Sequence, residues 1–447
     1  MKIKKISWNK HKILGNLELD LYNNSKNKPY NIIVLAGENG SGKTTIFETL
    51  SNFLNKGNNT DFSNIEYIVN GKIYSALPPK NGIGYIQKNS ESNAIEKLSN
   101  LNNNCKTIDN DEADIRHFGC SYSRAQISFR TNKIDTIKTN TIDKTKYQVK
   151  EIQDFTIIKQ LLVDINIQDS NEFINEAQKN DNIQYSVFEK RSRIYRFKRA
   201  FNNFFEHIKF DRIQLVNDDY KIIFKKFDTE IDIDSLSTGE KQIIFRGAYL
   251  LQNSKALANS VIFIDEPELS MHPKWQEKIF DFYINLFKFD DIEFVPQIFI
   301  ATHSENILKK AISNKDTVVF VLKNDNGIIR SDKISAPKNL KSLTSSEINY
   351  LAFNIISNDY HIELFSYLQS KISIDSIKRM DDYIFNSQEF KSNENLYSKC
   401  SQYRNVEYKT LPVYIRNSID HPESGNKFNE NELKISIELL IELCGKK

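Results

Sequence analysis

The chain opens with two stretches in which apolar and polar residues alternate. Ile3, Ile6 and Trp8 are set among polar neighbours, and Leu17-Glu18-Leu19-Asp20-Leu21 repeats the same period of two. That period marks half-buried strands. A polar turn from Asn23 to Pro29 leads to Ile32-Ile33-Val34-Leu35, an unbroken apolar run suited to a strand buried on both faces. A helix is expected from about Lys43 to Leu54. Residues 88–115 are polar, with Asn102-Asn103-Asn104 and few apolar anchors, and read as a mobile loop. Residues 116–150 read as irregular. Helical spacing returns in 151–208, through Ile157, Ile158, Leu161 and Leu162 and then Phe197, Phe201, Phe204 and Phe205. Residues 210–234 have strand character, and 235–335 alternate between helices and strands. Asp325-Asn326-Gly327 signals a hairpin between Val318-Val319-Phe320-Val321-Leu322 and Ile328-Ile329. Beyond about Thr344 the pattern is helical to the end.

A length of 447 residues allows two or three domains, each with a core. No apolar run reaches about 18 residues, so a membrane-spanning helix is not expected. The charged start, Met1-Lys2-Ile3-Lys4-Lys5-Ile6, lacks the apolar core of a signal peptide. Cys105, Cys120, Cys400 and Cys444 lie far apart, which argues against a zinc site or disulfide framework and fits a reducing cytoplasm. A net charge of +3 is too small to announce nucleic-acid binding, although it does not exclude a local patch.

Chemistry is concentrated in motifs that follow one another in a fixed order. Gly37-Glu38-Asn39-Gly40-Ser41-Gly42-Lys43-Thr44 is a complete G-x-x-x-x-G-K-[ST] phosphate loop, placed between an apolar run and a helix as that motif requires. Its backbone N–H groups and helix N-terminus suit a triphosphate, with Lys43 reaching the β- and γ-phosphates. Thr44 would give its hydroxyl to Mg²⁺, and Thr45 follows it in the nucleotide-binding set. Val261-Ile262-Phe263-Ile264-Asp265-Glu266 is an apolar run ending in two carboxylates. Asp265 is expected to serve the Mg²⁺, and Glu266 to act as the base that orients water. Leu236-Ser237-Thr238-Gly239-Glu240 fits a helix capping box through Ser237 and Glu240. His303 closes the series in Ile300-Ala301-Thr302-His303-Ser304.

In this order the motifs resemble an ABC-type ATPase of the SMC/RecF/OLD-like branch, often grouped with AAA-family defence ATPases. The resemblance covers roughly residues 1–335. It implies an α/β fold: a P-loop ATPase head at 1–345 with a helical insertion at about 151–208, followed by a C-terminal all-α domain at 346–447. It implies that Ser237 and Gly239, with Glu240, meet the γ-phosphate held by a second copy of the chain. It also implies that Gln87 senses Mg²⁺ and water, with Gln126 as the competing candidate, and that His303 contacts the γ-phosphate. Glu268-Leu269-Ser270-Met271-His272-Pro273 matches the D-loop region, where His272 is also suited to shaping the turn before Pro273. The insertion is far too short for the coiled coils of SMC proteins. The expected cofactors are therefore ATP and Mg²⁺, and the expected assembly is a head-to-head dimer or larger.

In the tail, Glu347 to Leu368 reads as a helix, Pro412 suits a helix start, and the final helix runs from about Glu430. Arg416-Asn417 followed by His421 resembles the R-x4–6-H motif of HEPN ribonucleases, which implies metal-independent RNA cleavage. The alternative is a helical docking domain in which Arg416 pairs with a carboxylate and His421 closes a helix before Pro422. The expected function is an ATP-driven dimeric switch in antiphage or toxin-like defence. It would control a nuclease, either its own tail acting on RNA or a partner protein. A RecF-like DNA-repair ATPase that binds DNA is the alternative.

Overall fold

The computed structural model describes residues 1–447 except 56, 81, 93–94, 99–104, 107–112, 118, 126–130, 143–146, 149–154, 180–182, 253–258, 288–295, 335–336, 404–405 and 446–447. Two compact units are present, Met1–Asp332 and Lys333–Lys447. Their boundary lies earlier than the expected division at 345/346.

The first unit is built on a six-stranded sheet. Its strands are β1 (Ile32–Ala36), β2 (Cys120–Ser123), β3 (Val261–Asp265), β4 (Gln297–Thr302), β5 (Thr317–Asp325) and β6 (Ile328–Ile334), arranged β2-β3-β4-β1-β5-β6. The first five run parallel, with Ile264 opposite Ile300 and Ala301 opposite Leu35. Strands β1, β3 and β4 are buried along their whole length, as their continuous apolar runs require. Asn326 and Gly327, both at positive φ, make the tight turn between β5 and β6.

A second, antiparallel sheet contains Lys2–Trp8, Glu18–Asp20, Phe62–Val69, Lys72–Leu77, Tyr85–Asn89 and Ile95–Leu98. Helix α1 (Lys43–Leu54) packs between the sheets, with Ile46, Phe47, Leu50 and Phe53 in one core with Ile3, Ile6, Phe263 and Phe299. Helices α2 (Thr156–Ala177) and α3 (Tyr195–Phe204) occupy the stretch of helical spacing. Three antiparallel strands follow at Ile208–Val216, Asp219–Lys226 and Thr229–Asp232. The sheet is flanked by α4 (Thr238–Leu251), α5 (Pro273–Asn285) and α6 (Glu305–Ser313).

Two loop expectations are corrected. Ile95–Leu98 is an edge strand where a loop was expected, and Cys120–Ser123 is a central-sheet strand where irregular chain was expected. Four residues flanked by polar chain carry too little periodicity to announce a strand, and parallel pairing with β3 supplies what the local pattern lacks.

The second unit is not all-helical. Helices α7 (Ser345–Phe353), α8 (Asn358–Ile372), α9 (Ile377–Asn386), α10 (Leu411–Asp420) and α11 (Glu430–Gly445) are joined by a hairpin of β7 (Ser398–Tyr403) and β8 (Val406–Thr410). The single helix expected from Glu347 to Leu368 is two. Asn354 in the left-handed region ends α7, and the Ser357 side chain caps α8. The core joins Leu364 and Leu368 of α8, Met380 and Ile384 of α9, Val413 and Ile415 of α10, and Ile437, Leu440 and Leu443 of α11.

Candidate functional site

The phosphate loop joins β1 to α1. Gly37 adopts a φ of 137°, and a Cβ there would lie 2.2 Å from the Leu322 carbonyl oxygen, so a side chain is excluded. Helix α1 has no side-chain cap at Gly42 and no acidic residue in its first turn. Its first N–H groups therefore remain available to an anion. Glu38, Asn39 and Gly40 are exposed at the tip, while Ser41 and Lys43 are buried. The Lys43 ammonium donates to the Gly37 carbonyl at 2.8 Å and the Glu38 carbonyl at 3.0 Å, and lies 3.4 Å from the Ser41 hydroxyl. Burial lowers its pKa, with the charges of Glu266 and Asp265 opposing.

Strand β3 delivers Asp265 next to this loop. The Thr44 hydroxyl donates to Asp265 Oδ2 at 3.1 Å, joining residues 221 positions apart. Tyr122 of β2 donates to the same oxygen at 3.2 Å. Asp265 Oδ1 is buried without a hydrogen-bond partner among the described residues. Burial raises the Asp265 pKa. An orphaned carboxylate oxygen beside a hydroxyl is a donor set that fits a hard divalent cation. Thr44 and Asp265 are the residues that would hold Mg²⁺.

Glu266 follows in the left-handed region at a φ of 44°, with its N–H donating to the Ala301 carbonyl at 2.9 Å. His303, just beyond β4, brings Nε2 to 3.4 Å from Glu266 Oε1. Burial lowers the His303 pKa, and the Lys43 charge adds to the effect. Glu268 is half-buried, and its Oε1 accepts from the Thr302 hydroxyl at 2.8 Å and the His303 N–H at 2.6 Å. It thereby fixes the backbone that presents His303.

Of the residues singled out from the sequence, Lys43, Thr44, Asp265, Glu266 and His303 converge here, and Thr45 lies in the first turn of α1 beside Thr44. Ser237 and Glu240 form the expected capping box. The Ser237 hydroxyl accepts from the Glu240 N–H at 3.4 Å, and Glu240 Oε2 accepts from the Ser237 N–H at 2.8 Å. Lys226 pairs with the other Glu240 oxygen at 2.7 Å. Gly239 passes so close to the D-loop region that a Cβ would lie 2.8 Å from the Ser270 carbonyl oxygen. His272 caps α5, its Nδ1 accepting from the Lys274 N–H at 3.3 Å.

Gln87 is not brought to this group. It lies in the antiparallel sheet, buried, where its Oε1 is 2.9 Å from the Tyr67 hydroxyl and 3.0 Å from the Tyr85 hydroxyl. Tyr85 continues the network to Asp114 at 2.9 Å, and Asp114 pairs with the buried Arg116. The cause is its register on Tyr85–Asn89, which turns Gln87 into the core rather than toward the phosphate loop. The competing Gln126 lies outside the described residues.

In the second unit the Arg416 guanidinium is held by Asp420 at 2.6 Å and donates to Asn417 Oδ1 at 3.1 Å. His421 ends α10, with Nδ1 3.3 Å from Glu423 Oε1. Each is thus engaged by its own neighbouring carboxylate.

Sequence reasoning missed Tyr122, the role of Glu268 and the buried Arg246. Tyr122 would have been visible only if β2 had been recognised as the strand beside β3.

Residues 121–309 match the family model described as "AAA domain, putative AbiEii toxin, Type IV TA system". No curated protein matches the chain. Among solved structures it is similar to an SMC head bound to the C-winged helix domain of ScpA, with 13% identity and a TM-score of 0.43 over 75% of this chain and 98% of that one. It is similar to an SMC head domain from Thermotoga maritima, with 12% identity and a TM-score of 0.40 over 75% and 99%. A third is a Smc head with an extended coiled coil, bound to the C-terminal domain of ScpA derived from Pyrococcus furiosus, with 11% identity and a TM-score of 0.41 over 75% and 96%. Among the described residues no helix is long and apolar enough to cross a membrane. The family match spans the strand that bears Asp265, and the phosphate loop lies upstream of the matched residues.

Proposed function

We propose that the protein is an ATP-hydrolysing switch that closes as a dimer and controls a nuclease effector in toxin-like defence. The observation that carries this reading is the convergence of Lys43, Thr44, Asp265, Glu266 and His303 from three separate segments around one phosphate loop. Lys43 rests on loop carbonyls and would exchange them for phosphate oxygens of ATP, an exchange of like hydrogen bonds with a gain in charge pairing. Bound between Thr44 and Asp265, Mg²⁺ would neutralise charge on the phosphates. Glu266 would take a proton from attacking water. His303 lies beside it, its pKa lowered by burial, and would approach the γ-phosphate while paired with that carboxylate.

The hydrogen-bonding groups of Ser237 and Glu240 are engaged with each other, Lys226 and Lys241, and none of these bonds reaches the phosphate loop of the same chain. This favours the expectation that the element works on a second copy. Similarity to a family described as a putative toxin supports a defence role. The local pairing of Arg416 and His421 favours an effector on a partner protein over a nuclease centred on these two residues. Light scattering with ATP and Mg²⁺ tests the switch. Glu266→Gln is expected to accumulate a dimer that wild type forms only transiently, and a monomer under all nucleotide conditions would refute it.

A further inference from the structure

We propose that Arg246 is a positioning residue that ties the helix bearing Gly239 to the carboxylate pair, so that movement of that helix regulates hydrolysis. This coupling rests on the hydrolytic reading of Glu266 given above.

Arg246 lies on α4 and is fully buried. Its Nη1 donates to the Asp265 carbonyl at 2.9 Å, and its Nη2 donates to the Arg124 carbonyl at 2.6 Å and the Ala125 carbonyl at 2.9 Å. One guanidinium therefore stitches together the chain leaving β2 and the chain leaving β3. These three acceptors are all backbone carbonyls. Asp265, Glu268 and Tyr283 are close enough to stabilise its charge by their fields. Burying a guanidinium against carbonyls costs more than burying an apolar side chain of equal size, so packing does not account for it.

The bond to Asp265 falls on the peptide that orients Glu266. Its carbonyl is held by Arg246, and its N–H, which belongs to Glu266, is held by the Ala301 carbonyl at 2.9 Å. Glu266 sits at positive φ, a conformation a non-glycine residue keeps only when its surroundings impose it. The two bonds supply that constraint, one from α4 and one from β4. At the start of α4, about 10 Å from Arg246 along the axis, Gly239 is wedged against the Ser270 carbonyl and Ser237 caps the helix. A contact made with that end by a second copy would shift α4 as a rigid rod. Arg246 would pass the shift to the 265–266 peptide.

The test compares wild type with Arg246→Lys, which keeps the charge but not the three-way fork, and with Arg246→Gln. Thermal unfolding establishes that each variant is folded. The expected result is affinity for a fluorescent ATP analogue within about threefold of wild type, with kcat lowered at least about tenfold and KM little changed, as for a misplaced catalytic group. Amide exchange of the segment 265–268 should quicken in the variants without nucleotide. In a Glu266→Gln background, Arg246→Lys should lower residual turnover no further, because both changes act through one carboxylate. A folded Arg246→Lys protein with wild-type kcat and wild-type exchange overturns the coupling. Should both variants fail to fold, wild type is compared with and without adenylyl imidodiphosphate. Protection must then change together at the start of α4 and at 265–268, and a change at one alone overturns it. A wild type that hydrolyses no ATP would sink the ATPase reading instead, while exchange in the nucleotide-free variants would still decide the clamp.

Discussion

Two constellations of charged residues in this chain have opposite histories. Lys43, Thr44, Asp265, Glu266 and His303 are scattered over most of the first unit's length, yet the fold pairs Thr44 with Asp265 and His303 with Glu266 and sets Lys43 within the field of both carboxylates. Arg416 and His421 are five positions apart in sequence, and the fold leaves each with a carboxylate from its own neighbourhood. Proximity in sequence is supplied at no cost by a helix. Convergence of distant residues has to be bought with ordered backbone, and it leaves signs of that cost: an unpartnered Asp265 oxygen, a strained Glu266 and a buried Arg246. The gathered set is therefore the better candidate for chemistry.

That contrast can be broken most sharply at Glu266. Glu266→Gln should lower ATP turnover by at least about 100-fold while nucleotide binding persists, measured by phosphate release and by titration with a fluorescent analogue. Retained turnover would remove Glu266 from its assigned role. Gln87 provides the next contrast, a polar residue held by a network instead of a site. Gln87→Leu removes the acceptor shared by the Tyr67 and Tyr85 hydroxyls, which keep the Ala113 carbonyl and Asp114 as partners, and should cost about 0.5–1.5 kcal/mol in denaturant unfolding, with turnover per folded molecule unchanged. A fall in kcat without loss of stability would return Gln87 to the nucleotide site.

The second unit titrates through a different residue. His361 is fully buried, with Nε2 2.9 Å from the Ser436 hydroxyl, and burial lowers its pKa to about 3. The unfolded chain binds this proton near pH 6.5 and the folded chain does not. Stability is therefore complete above about pH 6.5 and falls as pH drops toward 3, by about 1.4 kcal/mol per pH unit at most. His361→Gln should flatten that slope in thermal melts of the full chain. The smallest effect is expected from Arg416→Ala and His421→Ala. Each should leave ATP turnover within about twofold and, the pairs being partly exposed, change stability by only about 0.3 kcal/mol. Loss of an RNA-cleaving activity in these two variants alone would reverse the comparison.

The phosphate loop, β3, the hairpin at Asn326-Gly327, Pro412 at the start of α10 and helix α11 were legible in the sequence, because each is specified by residues adjacent to one another. The capping box of Ser237 and Glu240 was legible for the same reason. Strand β2 was not, since its place comes from pairing with β3, and with it Tyr122 stayed hidden. Gln87 was misassigned because a glutamine in a strand says nothing of the face it takes, and burial among tyrosines is a property of register. The hairpin of β7 and β8 interrupts the helical tail, where Lys399-Cys400-Ser401-Gln402 shows no apolar alternation.

The left-handed backbone at Glu266 sets stability against activity at a single position. Glycine would relax it, and Glu266→Gly should raise the melting temperature while removing the carboxylate. A directed-evolution campaign that selected this protein for heat resistance alone would be drawn toward a chain without the Glu266 carboxylate, and its screen would need to read ATP turnover from the first round.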